Sequence, residues 1–223
     1  MEELFKKLNI KPNNKEIYEK AFIHTSYAYE KEIPESYEKL EFLGDAIVDL
    51  VVSDYLYKNK NLDEGEMTKI RASYVCENAL FEYSTELEFS KYLKLGNGEM
   101  QSGGLHKKAI LADVFEALMG AIYLDQGFEK VKEVALKIIV PYIEDDNILL
   151  FSDYKSELQE VVQDVQKSLV YTLISENGPA HDRTFKVNVS IDDIVYGEGE
   201  GHSKKEAEQE AAKSALKKLA KEK

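Results

Sequence analysis

The chain has 223 residues with a hydrophobic fraction of 43%, which is enough to build a folded core and excludes a disordered chain. One cysteine, Cys76, excludes an internal disulfide; no apolar run approaches the length of a membrane span and the N-terminus lacks a secretion signal, so we expect a cytoplasmic protein. The formal net charge of −13 argues against strong non-specific binding to nucleic acid, although local clusters decide individual contacts.

Apolar residues at helical spacing dominate the first two-thirds of the chain. A long helix is predicted over residues 37–55. Asp63 and Glu66 are spaced as a capping box that begins another helix. Residues 97–104, with three glycines, predict a loop, and residues 109–124 predict a strongly apolar helix whose small residues allow close helix packing.

The pattern changes near residue 150, after a polar stretch that is the best candidate for a linker. A short helix is predicted from residue 154. Alternating apolar residues then predict a half-buried strand over residues 185–191, with neighbouring strands at residues 170–174 and 194–196 and turns at residues 177–179 and 192–193. A final helix is predicted from about residue 203. This order of elements predicts a compact α+β module.

The first acidic cluster lies in the predicted helix over residues 37–55. Spacings of three and four residues place Glu38, Glu41 and Asp45 on one helix face. Apolar residues alternate with these acids, so we expect the helix to be mostly buried. Because carboxylates are rarely buried unless they are paired or bind a metal, this pattern indicates a site for a hard cation.

A second acidic pair, Asp113 and Glu116, shares one face of the apolar helix predicted over residues 109–124. If the two helices pack together, these acids meet Glu41 and Asp45, and a divalent cation such as Mg²⁺ would relieve their repulsion. The alternative is a network of buried salt bridges. Spacing alone leaves both interpretations open, and the candidate basic partners are Lys39, Lys69, Arg71, Lys107 and Lys108.

The run Tyr-Glu-Lys-Leu-Glu-Phe-Leu-Gly-Asp-Ala-Ile at residues 37–47, with the later Asp-x-x-Glu, resembles the signature of the ribonuclease III family, which cleaves double-stranded RNA. The resemblance implies that Glu41, Asp45, Asp113 and Glu116 bind metal and that Asp45 and Glu116 are catalytic. It also implies hydrolysis assisted by Mg²⁺, with Mn²⁺ as a substitute. The implied reaction is attack of water on the phosphorus, which leaves 5′ phosphate and 3′ hydroxyl ends, and the implied role is in RNA processing and decay.

Three weaker assignments follow from the same resemblance. Glu38 and Glu64 resemble acids that contact RNA or a further cation, although both are nearly as well explained as ordinary surface acids. Cutting both strands calls for two sites, which the family provides as a homodimer. Phe42 resembles the aromatic residue that packs across the dimer interface; its alternative is a simple core position.

The C-terminal module carries features that suit the phosphates and 2′-hydroxyls of an A-form duplex. They are uncharged groups on the first helix, a Gly-Pro-x-His turn between strands, and a serine-capped helix start with two lysines. Each feature is common by itself, but together they resemble a double-stranded RNA-binding domain. The expected RNA-binding residues are Ser156, Gln159, Gln163, His181, Ser203, Lys204 and Lys205.

The sequence therefore predicts two domains joined by a linker at residues 147–152. An all-α ribonuclease III endonuclease domain is expected over residues 1–146, and an α-β-β-β-α double-stranded RNA-binding domain over residues 153–223. The expected partners are double-stranded RNA and a second copy of the chain, with no membrane and no small-molecule cofactor. The alternatives are a non-catalytic double-stranded RNA-binding protein on a degenerate nuclease fold and a phosphohydrolase of small nucleotides.

Overall fold

The structure is a computed structural model that describes residues 1–144, 154–164, 167–178 and 183–221. The chain divides into two compact units, Met1–Phe151 and Ser152–Lys223. The predicted linker at residues 147–152 lies outside the described residues and stays a prediction. Across the described ranges, no helix combines the length and the apolar character that a membrane span needs.

The first unit is helical, as predicted, with its core formed by the longer helices. Short 3-10 helices lie at Phe89–Lys91 and Gly104–His106. The α-helices are α1 (Glu2–Lys7), α2 (Lys15–Lys20), α3 (Thr25–Glu30), α4 (Glu38–Asn59), α5 (Glu64–Tyr74), α6 (Glu77–Glu86), α7 (Asn97–Gln101), α8 (Lys108–Gln126) and α9 (Phe128–Glu144).

Helix α8 is the centre of this core, and α4 packs directly against it. The contact is a close backbone approach at two glycines. A Cβ atom at Gly44 would lie 1.8 Å from the carbonyl oxygen of Glu116, and a Cβ atom at Gly120 would lie 2.3 Å from the carbonyl oxygen of Leu40. The crossing of α4 and α8 therefore accepts no larger residue at either glycine without a backbone shift.

Two expectations about the helical unit are wrong. Helix α4 is not mostly buried, because only one face packs into the core, while Phe42 and Leu50 on other faces are exposed. Residues 97–104 are not a plain loop, because they include the short helix α7. The capping box that begins α5 is confirmed, since Asp63 Oδ1 accepts from the Glu66 N–H at 2.8 Å and Glu66 Oε2 accepts from the Asp63 N–H at 3.0 Å.

The second unit has a three-stranded antiparallel sheet in the order β1-β2-β3, formed by β1 (Leu169–Asn177), β2 (Thr184–Ile191) and β3 (Ile194–Gly201). Helices α10 (Tyr154–Asp164) and α11 (Lys204–Lys221) complete the predicted α-β-β-β-α order. Alternate β2 residues, including Val187 and Val189, are buried with the alanine face of α11. The predicted turn at Asp192 and Asp193 is confirmed, with φ values of 47° and 64° that suit a two-residue hairpin turn.

Candidate active site and RNA-binding surface

The packing of α4 against α8 brings the predicted acids towards one another. Helix α4 carries Glu38, Glu41 and Asp45 at its N-terminal end, and α8 carries Asp113 and Glu116. Glu41, Asp113 and Glu116 are half-buried, whereas Glu38 and Asp45 are exposed. The Gly44 contact with the Glu116 backbone joins the two acidic segments directly. The acidic segments of α4 and α8 are therefore neighbours at this helix crossing.

The pKa shifts show that the charges of these acids act on one another. Burial raises the pKa of Glu41 to about 7, and the charges of Asp113, Glu38 and Asp45 contribute further. Burial also raises the pKa of Glu116 to about 8, with contributions from Asp45, Glu41 and Asp113. Burial and neighbouring acids thus disfavour the negative charge of Glu41 and Glu116, as is common at functional sites.

Asp113 has a partner that the sequence did not indicate. The Tyr37 hydroxyl donates a hydrogen bond of 3.0 Å to Asp113 Oδ2. Burial raises the pKa of Asp113 above its usual value, while this hydrogen bond acts in the opposite direction. Burial and the nearby acids raise the pKa of Tyr37 well above its usual value, so the hydroxyl remains a donor. Tyr37 stands in the signature run, but its spacing gives no sign of this contact.

The salt-bridge alternative fails for the basic residues whose partners can be described. Among the ion pairs of the described residues, none includes Glu41, Asp45, Asp113 or Glu116. Lys108 Nζ instead donates to the side-chain oxygen of Asn78 at 3.3 Å. The ion pairs of the other candidates join Lys39 to Glu35, Arg71 to Asp49, and Lys107 to Glu99.

The side chains do not form a closed set of metal ligands as they stand. Within the described part of the chain, no group of three or more His, Cys, Asp or Glu side chains is arranged to hold a metal ion. The acids shift one another's pKa, and carboxylate oxygens are the ligands that a hard cation prefers, so the chemistry of the donors fits such an ion.

Glu38, Glu64 and Phe42 are the residues with the weaker assignments, and the two acids make local hydrogen bonds. Glu38 accepts a hydrogen bond of 2.9 Å from the Ser36 hydroxyl, and Glu64 lies in the first turn of α5, where it accepts from the Thr68 hydroxyl at 3.3 Å. Both acids are exposed. Phe42 is 83% exposed in the single chain, so the alternative of a simple core position is wrong.

The predicted RNA-binding residues that the structure describes lie on α10 and at the start of α11. Gln159 and Gln163 are exposed on α10, opposite the buried residues Tyr154, Leu158 and Val162. The side chain of Ser156 and the whole of His181 lie outside the described residues.

The start of α11 is capped in a modified form of the predicted box. Ser203 Oγ accepts a hydrogen bond of 3.1 Å from the Glu206 N–H. The Glu206 carboxylate returns to the His202 N–H, at 2.8 Å, rather than to the Ser203 N–H. Lys204 and Lys205 are exposed in the first turn, where the helix dipole adds to their positive charge. This end of the helix suits a phosphate group.

Comparison with known proteins agrees with both units. A ribonuclease-III-like family model matches residues 14–143, and a double-stranded RNA binding motif matches residues 154–219. The chain belongs to the ribonuclease III family. It is 46% identical over 221 residues to Ribonuclease 3 of Onion yellows phytoplasma (strain OY-M), covering 99% of this chain and 92% of the relative. It is 45% identical to Ribonuclease 3 of Listeria monocytogenes, and the match covers 98% of this chain and 97% of the relative.

A solved structure of the nuclease domain of ribonuclease III from Campylobacter jejuni is also similar. It has a TM-score of 0.59 and 35% sequence identity, and the match covers 63% of this chain and 96% of that one. The predicted family, the all-α domain followed by the RNA-binding domain, and the enzyme class are confirmed. This ribonuclease III protein is an endoribonuclease of double-stranded RNA, and the comparisons give no support to the non-catalytic alternative.

Proposed function

We propose that this ribonuclease III protein is a Mg²⁺-dependent enzyme whose residues 1–146 cut duplex RNA while residues 153–223 hold it. One observation carries the proposal: carboxylates from α4 and α8 share a half-buried region where the pKa of Glu41 is raised to about 7 and that of Glu116 to about 8. Such a cluster is costly to keep uncompensated, and a divalent cation removes that cost.

Glu41, Asp45, Asp113 and Glu116 are the proposed metal ligands, and Mn²⁺ is a proposed substitute for Mg²⁺. When bound, the cation activates water and stabilises negative charge at the phosphate that is cut. Asp45 is exposed and Glu116 is half-buried, and these two acids are the proposed catalytic pair. Water attacks the phosphorus, and the bond to the 3′ oxygen breaks, which leaves a 5′ phosphate and a 3′ hydroxyl. Glu38 and Glu64, both exposed, are proposed to contact RNA or a further cation.

The proposed function is tested with an end-labelled RNA duplex. We expect cleavage with Mg²⁺ or Mn²⁺, binding without cleavage with Ca²⁺, and no cleavage after chelation. The products should carry 5′ phosphates and short 3′ overhangs, as paired sites on the two strands require. A competing excess of free nucleotides should leave the rate unchanged. Full cleavage in chelator would contradict the metal assignment, and inhibition by nucleotides would favour a phosphohydrolase of small substrates.

A homodimer is proposed because each acidic site serves one strand. Phe42 supports it: an aromatic side chain that is 83% exposed on the signature helix is expected to be covered by a partner. The similar nuclease domain from Campylobacter jejuni has a region involved in dimer formation.

Replacing Phe42 by alanine is expected to weaken the dimer by roughly 30-fold or more, because a central aromatic anchor contributes about 2 kcal/mol or more to an interface. Sedimentation velocity over a range of protein concentrations measures this change. Met100→Ala is the control, since Met100 is also an exposed apolar residue but lies on α7. A Phe42→Ala protein with the wild-type dimer affinity would remove Phe42 from the interface.

The start of α11 is proposed to bind phosphate through Lys204 and Lys205. Replacing both by alanine should weaken duplex binding and reduce the slope of log affinity against log salt by about two, roughly one for each lost phosphate contact. Fluorescence anisotropy at several salt concentrations, in chelator, measures both quantities. Lys217→Ala with Lys218→Ala removes the same charge from the other end of α11. Equal losses of duplex affinity in the two double variants would show that only the net charge of α11 matters, and not the position of Lys204 and Lys205.

RNA processing and decay in the cytoplasm is the proposed setting. Cys76 is the single cysteine of the chain, so the fold needs no oxidising compartment to form a disulfide. The proposed substrates are folded transcripts with duplex segments. The RNA-binding unit supports this class because its fold matches the double-stranded RNA binding motif.

A further inference from the structure

Tyr37 joins the two acidic segments of the nuclease unit. It directly precedes α4, and its side chain is only 3% exposed. Its hydroxyl reaches across to α8 and donates a hydrogen bond of 3.0 Å to Asp113 Oδ2. Tyr37 therefore contacts a proposed metal ligand on one helix while it begins the helix that carries Glu41 and Asp45.

The position of Tyr37 is fixed by contacts on several sides. Its backbone N–H donates to the Ile23 carbonyl at 2.9 Å. Its own carbonyl accepts hydrogen bonds from the Leu40 N–H at 2.8 Å and the Glu41 N–H at 3.0 Å. The ring meets the His24 ring edge-to-face, with 5.7 Å between centroids. The hydroxyl is thus presented to Asp113 from a rigid position rather than from a mobile side chain.

We propose that Tyr37 is a positioning residue that orients the Asp113 carboxylate for the divalent cation, an inference that rests on the proposed role of Asp113 as a ligand. A carboxylate has two oxygens, and a donor held on Oδ2 fixes the plane of the group, so that Oδ1 would be available to a cation. Partners of this kind orient metal ligands in many proteins, and their loss typically lowers metal affinity by about 10- to 100-fold.

Tyr37→Phe tests the inference because it removes only the hydroxyl and keeps the buried ring. Mn²⁺ alone is titrated into the full chain without RNA, and free Mn²⁺ is measured by electron paramagnetic resonance. We expect Tyr37→Phe to bind Mn²⁺ about 10-fold more weakly than the wild type. The Mg²⁺ concentration for half-maximal cleavage should rise by a similar factor, with most of the rate recovered at saturating Mg²⁺ and duplex binding in chelator unchanged.

Tyr18→Phe is the matched control. Tyr18 is also buried in the first unit, and its hydroxyl also donates to an aspartate, Asp125 Oδ2, at 2.9 Å. That hydrogen bond joins α2 to the end of α8, where Asp125 also accepts from the Asn13 and Asn14 N–H groups and lies nine residues beyond Glu116 along the helix. Tyr18→Phe should match Tyr37→Phe in lost fold stability but keep the wild-type Mn²⁺ affinity. A general loosening of the fold would weaken Mn²⁺ binding in both variants and would overturn the inference.

A double-mutant cycle shows whether Tyr37 acts through Asp113. Asp113→Asn should weaken Mn²⁺ binding, and adding Tyr37→Phe to it should change the affinity by less than about twofold, within the error of such cycles. Equal Mn²⁺ affinity in Tyr37→Phe and the wild type would overturn the positioning role and leave the proposed function intact. If the wild type itself bound no Mn²⁺, the metal site and this inference would fail together.

Discussion

Replacing Glu116 by glutamine will lower the rate of duplex RNA cleavage by about a thousandfold or more while leaving duplex binding within about twofold of the wild type, as expected when a group that acts on the transition state is removed. Glutamine keeps the size of the half-buried side chain and its place beside α4, so the change is one of charge. The proposed cation loses a ligand at the position where burial and four other acids raise the pKa to about 8.

Single-turnover cleavage of an end-labelled duplex in Mg²⁺ measures the rate, and anisotropy in chelator measures the binding. Glu129→Gln is the matched control, because it makes the same change at an exposed acid in the first turn of α9. Its rate should stay at the wild-type value. Wild-type cleavage by Glu116→Gln would remove Glu116 from the metal site, and a parallel loss of RNA binding would show that the variant is damaged more widely.

Replacing Gly44 by alanine should destabilise the nuclease unit by about 3 kcal/mol, near the upper end of the cost of overpacking a core. The new Cβ atom would lie 1.8 Å from the carbonyl oxygen and 2.4 Å from the carbonyl carbon of Glu116. Both atoms belong to the backbone of a buried helix, so neither can rotate away. Helices α4 and α8 must separate, which also displaces the acids and should remove cleavage.

Thermal unfolding followed by circular dichroism tests this expectation. A loss of about 3 kcal/mol lowers the melting temperature by roughly 6–12 °C for a protein of this size. Gly98→Ala is the control, because a Cβ atom at this position in α7 meets nothing within 4 Å. Alanine is also the better helix former, so this control should be neutral or slightly stabilising. A stable and active Gly44→Ala protein would contradict the packing at the crossing.

The sequence could predict the helices and strands whose apolar residues repeat at a clear period. It could not show whether an apolar residue on a given face packs into the core or is exposed at the surface of the chain. The exposed face of α4 illustrates the difficulty: Phe42 has the hydrophobicity of a core residue, and spacing does not distinguish a core from an interface. Helix α7 was missed for another reason. The Asn97 N–H at its start donates to Glu30 Oε2 at 2.7 Å, so a side chain from a distant helix stabilises a segment that reads as a loop.

The acidic residues of the candidate site could be proposed from the sequence because each pair sits on its own helix at a fixed spacing. Their mutual arrangement was not, because it depends on the glycine contacts between α4 and α8. Tyr37 was missed because its partner lies 76 residues further along the chain, and no local pattern relates the two. Strand β3 was predicted too short, since its residues from Gly197 onwards pair with β2 through the backbone and show no apolar alternation.

The Gly44 contact also determines at which stage of folding the proposed site is assembled. During synthesis, the segment with Glu41 and Asp45 leaves the ribosome long before the segment with Asp113 and Glu116. Neither helix holds the whole set of acids, and the two halves meet only when the backbone of α4 settles against that of α8. A growing or partly unfolded chain therefore lacks the complete set of proposed metal ligands. If these acids form the site, as proposed, nuclease activity requires the folded core.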